Sequence, residues 1–394
     1  MAKGEIFEAR VESIAAGGAG LARVGGKSVF IEFTAPGDRI RGRIETEHKN
    51  WATGELLEVL EPSPQRARPL CRYFGLCGGC SLQHLAYEAQ IEAKTAILRD
   101  AFTRIGGITP PEIHLRRSEP YEYRNRVQFH CTALFNHSGR FQKAADKTLC
   151  FRERKSSRLV AVNDCPVAEA GIRKALQEGK IIPPHGKERF TVFSRGNVFL
   201  SEGTLNRGKV PILNREIAMD VCLFFQSNIA MLEFLIGDLL ALLPATGENY
   251  TMADIYCGIG TFAAFLGGKF SEIDLVEENR QALSLTRENM PPGKKVNYYA
   301  QSDTDWARSQ KKKHYDFVVL DPPRKGLSGP LRGYLAGNGP RLLAYVSCDS
   351  ATLARDSRSL LEGGYTLNEL NLYDFYPQTA HIESLAVFCR NEPE

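Results

Sequence analysis

The sequence predicts a three-part protein: an OB-like β-barrel, a small central α+β domain and a Rossmann-like α/β domain. Three observations support this order. Short β-rich runs separated by Gly/Pro turns come first, and a segment with clustered cysteines and basic residues follows. Strands then alternate with helices to the last residues. We place the three parts at residues 1–62, 63–215 and 216–394.

The N-terminal part has the pattern of a small closed sheet. The runs KSVFIEF and DRIRGRIE have the length and β-branched content of strands, and AAGGAGLARVGG and TAPGD supply turns. About five such strands within residues 5–60 favour a barrel of the OB type, a fold that often binds oligonucleotides. A barrel that only packs against the rest of the chain fits this segment equally well.

The central part follows the Pro-rich linker EPSPQRARP and contains a helix-like segment. SLQHLAYEAQIEAKTAILRDAFTRIGG has apolar residues at helical spacing and ends in Gly-Gly, which predicts a helix near residues 82–110. Strand-like runs such as RVQFHCTALF and RFTVFS come next, mixed with Arg/Lys clusters.

Charge is distributed unevenly along the chain. Lys and Arg outnumber Asp and Glu by 26 to 14 in residues 61–215, whereas the counts are 8 against 9 before this segment and 16 against 23 after it. A basic middle between near-neutral and acidic flanks suggests contact with a polyanion. A solvated basic face would give the same counts.

The overall composition excludes several classes of protein. With 43% hydrophobic and 24% charged residues, the chain is neither collagen-like nor wholly disordered. No run approaches the ~20 apolar residues that a membrane span needs. The charged start MAKGEIFEARVES lacks the apolar region of an export signal. We therefore expect a cytoplasmic, monomeric protein without a membrane partner.

The C-terminal part alternates buried strands with helices. YTMADIYCGIG, SEIDLVEEN, YDFVVLDPPRKG and RLLAYVSCDS are typical of buried strands that end in polar loops. This alternation predicts right-handed βαβ units and a doubly wound parallel sheet. Ligands of such sheets bind beyond the carboxyl ends of the strands, where the polar loops lie.

Three of these loops predict a nucleotide site. Glycines between Asp254 and Thr261 permit a tight turn, but the third glycine of a dinucleotide motif is missing. Glu277 ends the next strand, where a carboxylate can accept hydrogen bonds from both ribose hydroxyls. Asp303, with Ser302 beside it, follows the third strand and is placed to meet an adenine amine. Together, in this order, the three loops favour S-adenosylmethionine.

Two further loops carry a sulfur and a carboxylate. Asp321 and two prolines close the fourth strand in a stiff loop. Cys348 follows the strand LLAYVS at the mouth of the same crevice, where a thiolate is suited to nucleophilic attack. Glu383 follows a Pro-Gln-Thr turn and precedes an apolar strand. A lone Cys at a strand end is more often a core residue, and a lone Glu is usually solvated.

The loops DPPRKG, SCDSATLARD and PQTAHIES, in this order, resemble the family of S-adenosylmethionine-dependent RNA uracil-5-methyltransferases, over nearly the whole chain. The resemblance implies that Cys348 is the nucleophile, Glu383 the general base and residues 5–60 a TRAM domain, an OB-like RNA-binding module. It also implies that the helix near residues 82–110 packs on the catalytic domain. The family's donor-binding positions correspond to Gln226, Tyr256, Thr261, Glu277, Ser302 or Asp303, and Asp321, and a substrate-side aromatic position to Phe224.

The sequence departs from the family directly after the nucleophile. Asp349-Ser350 stands where the family usually has Asn-Pro or a similar pair. An acid beside the thiol should raise the pKa of Cys348 unless it points away. Thr352, Arg355 and Asp356 keep the family pattern, so we still expect activity.

Four cysteines form a candidate metal site. Cys71, Cys77 and Cys80 lie close together, with two glycines that allow a tight wrap, and Cys165 follows in NDCPVAE. Zinc and iron–sulfur clusters both accept four thiolates, but the five-residue spacer fits a zinc hairpin poorly. Four unrelated buried cysteines are the alternative. The CGGC and CPV contexts resemble the iron–sulfur branch of the family, which implies a [4Fe–4S] cluster on these four residues.

The basic middle is the expected RNA-docking segment. Its runs RRSEPYEYRNRVQFH and FRERKSSRLV offer Arg and Lys to phosphates. We expect some of Tyr121, Tyr123 and Phe129 to stack on bases, although aromatic residues at this spacing are more often core.

The expected function is methylation of uridine C5 in structured RNA. The expected substrate is 23S ribosomal RNA, with transfer RNA as the alternative and no DNA partner. A methyltransferase for exocyclic amines would share Asp-Pro-Pro but has no use for Cys348 or Glu383. A cytosine-5 enzyme is disfavoured because its Pro-Cys loop has no counterpart here. A non-catalytic iron–sulfur RNA-binding protein would leave the C-terminal loops unexplained.

Overall fold

A computed structural model of the chain describes residues 2–132, 148–243, 250–310 and 313–390. These residues form a closed barrel, a five-stranded sheet, a two-stranded hairpin and an eight-stranded sheet. The N-terminal barrel and the Rossmann-like sheet that the sequence predicts are thus confirmed.

The barrel consists of five strands. They are β1 (Ile6–Ile14), β2 (Gly20–Val24), β3 (Lys27–Ile31), β4 (Arg39–Glu47) and β5 (Trp51–Glu61). Their order around the barrel is β1-β2-β3-β5-β4. Buried residues alternate with exposed ones along β4, and Phe7, Val11 and Ile40 fill the interior.

Buried polar contacts fix the barrel against the central part. Arg66 donates a hydrogen bond of 2.8 Å to Asp38, whose side chain is fully buried. The same guanidinium donates to the carbonyl oxygen of Phe33 at 2.8 Å. The ring of His84 contacts the carbonyl oxygen of Thr34 at 3.0 Å. These contacts hold the barrel beside the cysteine-containing segment.

The central part begins with α1 (Tyr87–Ala101), a π-helical turn (Phe102–Gly106) and β6 (Ile113–Arg116). The helix starts later than its apolar spacing suggests, because His84 and Leu85 instead contact the barrel and the linker. It packs against the C-terminal part, and its Leu98 lies in the hydrophobic core there.

A five-stranded antiparallel sheet and one helix complete the central part. They are β7 (Arg126–Thr132), β8 (Thr148–Arg152), β9 (Leu159–Ala161), α2 (Ala170–Gln177), β10 (Arg189–Arg195) and β11 (Val198–Ser201). The strand order is β11-β10-β7-β8-β9. The sequence predicts a strand-like run over residues 126–135. The part of this run after position 132 lies outside the described residues.

A hairpin joins the central and C-terminal parts. It consists of β12 (Arg207–Ile212) and β13 (Arg215–Asp220). Val210 and Ile217 pack into the core of the C-terminal sheet. The hairpin spans residue 215, where the sequence places a domain boundary, so that boundary stays a prediction.

The C-terminal sheet contains seven further strands and six helices. In chain order these are α3 (Ile229–Leu242), β14 (Thr251–Ile255), α4 (Thr261–Leu266), β15 (Glu272–Val276), α5 (Arg280–Asn289), β16 (Lys295–Tyr299), α6 (Asp303–Ser309), β17 (Phe317–Leu320), α7 (Gly329–Asn338), β18 (Leu342–Ser347), α8 (Ser350–Glu362), β19 (Tyr365–Tyr373) and β20 (Glu383–Arg390).

The strand order of this sheet is β16-β15-β14-β17-β18-β20-β19-β6. The first five strands are parallel, and β20 runs antiparallel to both of its neighbours. Both faces are covered: Phe317 and Val319 enter one core, and Val318 and Leu320 enter the other. The loops that follow the parallel strands therefore meet at one exposed edge.

Candidate active site

One cavity of about 1010 Å³ opens at the carboxyl ends of the parallel strands. Every residue that the sequence assigns to the donor site, the substrate or the chemistry lines this cavity. They are Phe224, Gln226, Tyr256, Thr261, Glu277, Ser302, Asp303, Asp321, Cys348 and Glu383. Loops that are far apart in the sequence thus form one site.

The glycine-rich loop after β14 turns sharply beside Glu277. Tyr256 adopts a left-handed backbone conformation with φ of 66°, which is uncommon for a residue with a side chain. The amide of Gly258 donates to one oxygen of Glu277 at 3.0 Å, and the amide of Asn279 donates to the other at 2.7 Å. The Glu277 carboxylate is therefore held in place by backbone amides.

The two candidates after β16, Ser302 and Asp303, differ in their hydrogen bonds. The Tyr256 hydroxyl donates to Oδ2 of Asp303 at 2.7 Å, and the amide of Ser328 donates to the same oxygen at 3.0 Å. Ser302 instead caps α6, because its hydroxyl accepts a hydrogen bond from the amide of Asp305. Asp303 is thus fixed against the cavity wall, and Ser302 is used by the helix terminus.

Two carboxyl groups face the cavity, the half-buried Asp321 and the buried Glu383. Gln226 donates to Oδ2 of Asp321 at 3.3 Å. Burial raises the pKa of Asp321, and burial together with Asp321 raises the pKa of Glu383. Within the described residues, Oε1 of Gln226 and Oε1 of Glu383 are buried without a hydrogen-bond partner. Unsatisfied polar atoms of this kind are typical of a site that receives a polar ligand.

Strand pairing places Cys348 and Glu383 side by side. Cys348 follows the last residue of β18, and Glu383 is the first residue of β20. Ser347 lies opposite Ser384 in the antiparallel register, so the next position brings the nucleophile and base candidates together. Cys348 is half-buried, whereas Glu383 is only 3% exposed.

The environment of Cys348 opposes ionisation of its thiol. Burial, Glu383 and Asp321 raise the pKa of Cys348 to about 11, and Arg324 acts in the opposite direction. Asp349 instead points into α8, where its carboxylate accepts the amide hydrogen bond of Thr352 at 2.9 Å. Asp349, the acid directly after Cys348, therefore caps the N-terminus of α8.

The cavity also contains residues that the sequence did not single out. Arg124, Arg126, Tyr376 and His381 line it. Arg324 contacts Nδ1 of His381 at 3.3 Å, and burial lowers the pKa of His381 to about 4. His381 lies in the PQTAHIES motif, close to Glu383 in the sequence. This closeness is the signal that could have identified His381 as a cavity residue.

Two of the three aromatic candidates for base stacking, Phe129 and Tyr123, are core residues, and only some of the three were expected to contact RNA. Phe129 is fully buried in the central core, where it stacks on Phe151. Tyr123 is also buried, and its hydroxyl donates to the carbonyl oxygen of Pro377 at 2.8 Å. Tyr121 is half-buried. Buried residues alternate with more exposed ones along β7, so Phe129 faces inward together with Val127 and Cys131.

A second cavity of about 440 Å³ lies beside the first. The four predicted ligand residues line it, namely Cys71, Cys77, Cys80 and Cys165. Burial raises the pKa of all four thiols, to about 12 for Cys80 and to about 11 for Cys165. Gly78, Gly79 and Arg124 line both cavities.

The donor set of the cysteine cavity suits a zinc ion or an iron–sulfur cluster. Four thiols face one cavity, all four are free, and thiolates are the ligands such clusters use. In the part of the chain that is described, no three His, Cys, Asp or Glu side chains are arranged to hold a metal ion. A single zinc would require four sulfurs within about 2.3 Å of one point.

No helix among the described residues combines the length and the apolar character that crossing a membrane requires.

The sequence matches three family profiles. They are described as TRAM domain over residues 2–57, methyltransferase small domain over residues 237–328, and tRNA (uracil-5-)-methyltransferase over residues 307–391. The last two profiles together span the parallel strands from β14 onward and the Cys348 and Glu383 loops.

Whole-length relatives agree with these profiles. A Treponema denticola protein named uncharacterized RNA methyltransferase is 32% identical over 93% of this chain and 94% of its own. A Chromohalobacter salexigens protein named 23S rRNA (uracil(1939)-C(5))-methyltransferase RlmD is 30% identical over 97% of this chain and 89% of its own.

A solved structure shares the fold. The crystal structure of the Pyrococcus abyssi tRNA (uracil-54, C5)-methyltransferase in complex with S-adenosyl-L-homocysteine matches with a TM-score of 0.71 and 22% identity. The match covers 97% of this chain and 100% of that chain.

The raised pKa of Cys348 makes its alkylation by iodoacetamide pH-dependent. Below the pKa the thiolate fraction grows about tenfold per pH unit, so the rate should rise steadily from neutral toward strongly alkaline pH. Glu383→Gln removes a negative charge and should speed alkylation at a fixed, mildly alkaline pH. Mass spectrometry of the Cys348 peptide measures the rate.

Cys348→Ser identifies the reacting peptide in this experiment. A rate that does not change with pH, or that falls in Glu383→Gln, would contradict the assigned electrostatics.

Proposed function

Because this chain belongs to the RNA (uracil-5-)-methyltransferase family, we propose that it methylates C5 of a uridine in 23S ribosomal RNA. The membership that the loop motifs predicted is confirmed by relatives at 30% and 32% identity and by the TRAM profile. One observation carries the proposal: the predicted nucleophile, base and donor residues line a single cavity.

Cys348 begins the reaction. Its sulfur, once deprotonated, adds to C6 of the uracil ring, and the electrons of the C5–C6 double bond move toward O4 as an enolate. S-adenosylmethionine supplies an electrophilic methyl group on a positive sulfur. C5 then bonds to the methyl carbon as the donor's carbon–sulfur bond breaks. Arg324, which lowers the pKa of Cys348, favours the reactive thiolate.

Glu383 completes the reaction as the general base. It takes the proton from C5, the C–H electron pair restores the C5–C6 double bond, and the C6–sulfur bond breaks. Burial and Asp321 raise the pKa of Glu383, which makes its ionised form a stronger base. Its buried Oε1, which is without a partner in the described residues, is available to accept this proton.

The donor residues bind by complementary hydrogen bonds. We assign the ribose hydroxyls to Glu277, whose carboxylate the backbone already orients. We assign the adenine amine to Asp303 rather than Ser302, because the Ser302 hydroxyl caps α6. Gln226, Tyr256, Thr261 and Asp321 line the remainder of this site, and the exposed Phe224 is assigned to the uracil side.

The RNA-binding charge lies mainly outside the barrel. On the barrel surface Arg41 and Arg43 are paired with Glu58 and Glu55. Trp51 is 40% exposed and stacks against His48, which offers a platform for a base. The basic central segment therefore supplies most of the attraction for phosphates.

The four cysteines of the second cavity would hold a [4Fe–4S] cluster. Cys71, Cys77, Cys80 and Cys165 supply the donor set, and Arg124 contributes positive charge beside thiolates. Arg154 links the Cys71–Cys80 loop to the barrel: its backbone amide donates to the carbonyl oxygen of Leu76 at 2.8 Å, and its guanidinium donates to Glu32 at 2.9 Å. We assign the cluster a structural role in holding this loop, and no catalytic step.

Variants of the two reacting residues test the mechanism. Cys348→Ala should abolish methyl transfer, because no other thiol replaces the nucleophile at C6. Glu383→Gln should trap the covalent RNA adduct, because the C5 proton is no longer removed. A shifted band on a denaturing gel measures the adduct. Near-normal methylation by Cys348→Ala would refute the assignment, and Cys222→Ser is the matched cysteine control.

Mapping of 5-methyluridine in total RNA identifies the substrate. Cells that lack the gene should lose one modified position in 23S ribosomal RNA and regain it on complementation. Loss confined to transfer RNA would replace the proposed substrate with the alternative, and no loss in either RNA would overturn the function.

Iron and acid-labile sulfide analysis tests the cluster. Protein purified without oxygen should be brown and contain about four irons per chain. Cys80→Ser should lower the iron content sharply, whereas Cys222→Ser, at an exposed cysteine, should not. Stoichiometric zinc without iron would contradict the proposal.

A further inference from the structure

The loop that precedes Glu383 is held from outside its own sheet. Residues 374–382 connect β19 to β20, and Glu383 is the first residue after them. The sheet fixes both ends of this connection. Its middle is held instead by α1, by the residues that follow Cys80, and by Pro120 and Tyr123, all of which lie more than 250 positions earlier in the chain.

Gln378 is the centre of these contacts. It has φ of 67°, a left-handed conformation that costs energy for a residue with a side chain. Its amide donates to Oε1 of Gln90 at 2.9 Å, and its carbonyl accepts from the amides of Ser81 and Leu82, both at 2.9 Å. Its side-chain oxygen accepts a hydrogen bond from Nε2 of Gln90 at 3.0 Å, and its Nε2 donates to the carbonyl oxygen of Pro120 at 3.3 Å.

A buried ion pair between Lys94 and Asp374 also holds the loop, one helical turn further along α1. Lys94 and Asp374 are both fully buried, and their side chains are 2.5 Å apart. Lys94 also donates to the carbonyl oxygen of Tyr376 at 3.0 Å. The spacing of four residues places Gln90 and Lys94 on one face of α1. Near the end of the loop, the amide of Ala380 donates to the Ser81 hydroxyl at 3.0 Å.

We propose that Ser81, Leu82, Gln90 and Lys94 form a brace that positions the general base Glu383 for removal of the C5 proton. This inference rests on the proposed function. A strained conformation such as that of Gln378 persists only where its surroundings enforce it. Without the brace, the 374–382 loop relaxes, and the Glu383 side chain at the first position of β20 shifts while the strand keeps its register.

The brace acts on one step of the reaction more than on the other. Cys348 follows β18, and its loop is fixed separately by the Asp349 cap on α8. Addition of Cys348 to the uracil ring therefore stays efficient when the brace is broken. Proton removal slows, because a displacement of about 1 Å can cost about 10²-fold in rate. The covalent adduct should then accumulate.

The test separates the two steps. Ribosomal RNA labelled with [5-³H]uridine, from cells lacking the gene, is mixed with the full-length protein and S-adenosylmethionine. Tritium release measures proton removal, and a denaturing gel measures the adduct. Gln90→Met keeps the size of the side chain and deletes its hydrogen bonds. Ser81→Ala deletes only the hydroxyl contact with Ala380.

We expect Gln90→Met to reduce tritium release by ten- to a hundredfold while adduct formation stays within about threefold of wild type. Ser81→Ala should also lower tritium release relative to adduct formation, by a smaller factor. Thr95→Ala is the control on α1, because its hydroxyl bonds within the helix to Ile91. Melting temperatures verify that each variant is folded.

Two results would overturn the brace. One is an equal loss of adduct formation and tritium release in Gln90→Met and Ser81→Ala, which would indicate general destabilisation. The other is wild-type behaviour in both variants. Failure of the proposed function would look different, because the wild-type protein itself would then form no adduct and release no tritium.

Discussion

The antiparallel pairing of β18 with β20 is the constraint on which the site depends. Ser347 opposite Ser384 fixes the register, and Cys348 and Glu383 occupy the next position at the same end of the two strands. A slip of one residue would turn each side chain to the other face of the sheet. Tyr373, which pairs with Glu383 on the other side, anchors the same register from β19.

Burial raises the pKa of both Glu383 and Cys348. A carboxyl group removed from water favours its neutral form, and the nearby Asp321 strengthens this preference for Glu383. The same negative charges disfavour the Cys348 thiolate. A positively charged donor relieves both effects when it enters the cavity, whereas the neutral thioether that remains after transfer does not. The acidic wall therefore favours binding of the donor over retention of its product.

The sequence could predict that the loops after the parallel strands line one cavity, because their geometry follows from one rule. Glu277, Asp321 and Cys348 each come directly after a buried parallel strand, and the carboxyl ends of such strands meet. The inward orientation of Phe129 and the helix cap formed by Ser302 depend on alternation and local hydrogen bonding that composition does not reveal. The contact between Gln90 and Gln378 links positions 288 residues apart, and no local pattern encodes it.

Proximity of the two cavities gives the central segment a place in the active site despite its distance in sequence. Gly78 and Gly79 lie between cysteines of one cavity and form part of the wall of the other. Their lack of side chains lets the cysteine loop approach the substrate cavity closely. Arg124, which lines both, places one positive charge between the thiols and the reacting centre. A disturbance of the cysteine loop therefore reaches the wall of the cavity that contains Cys348 and Glu383.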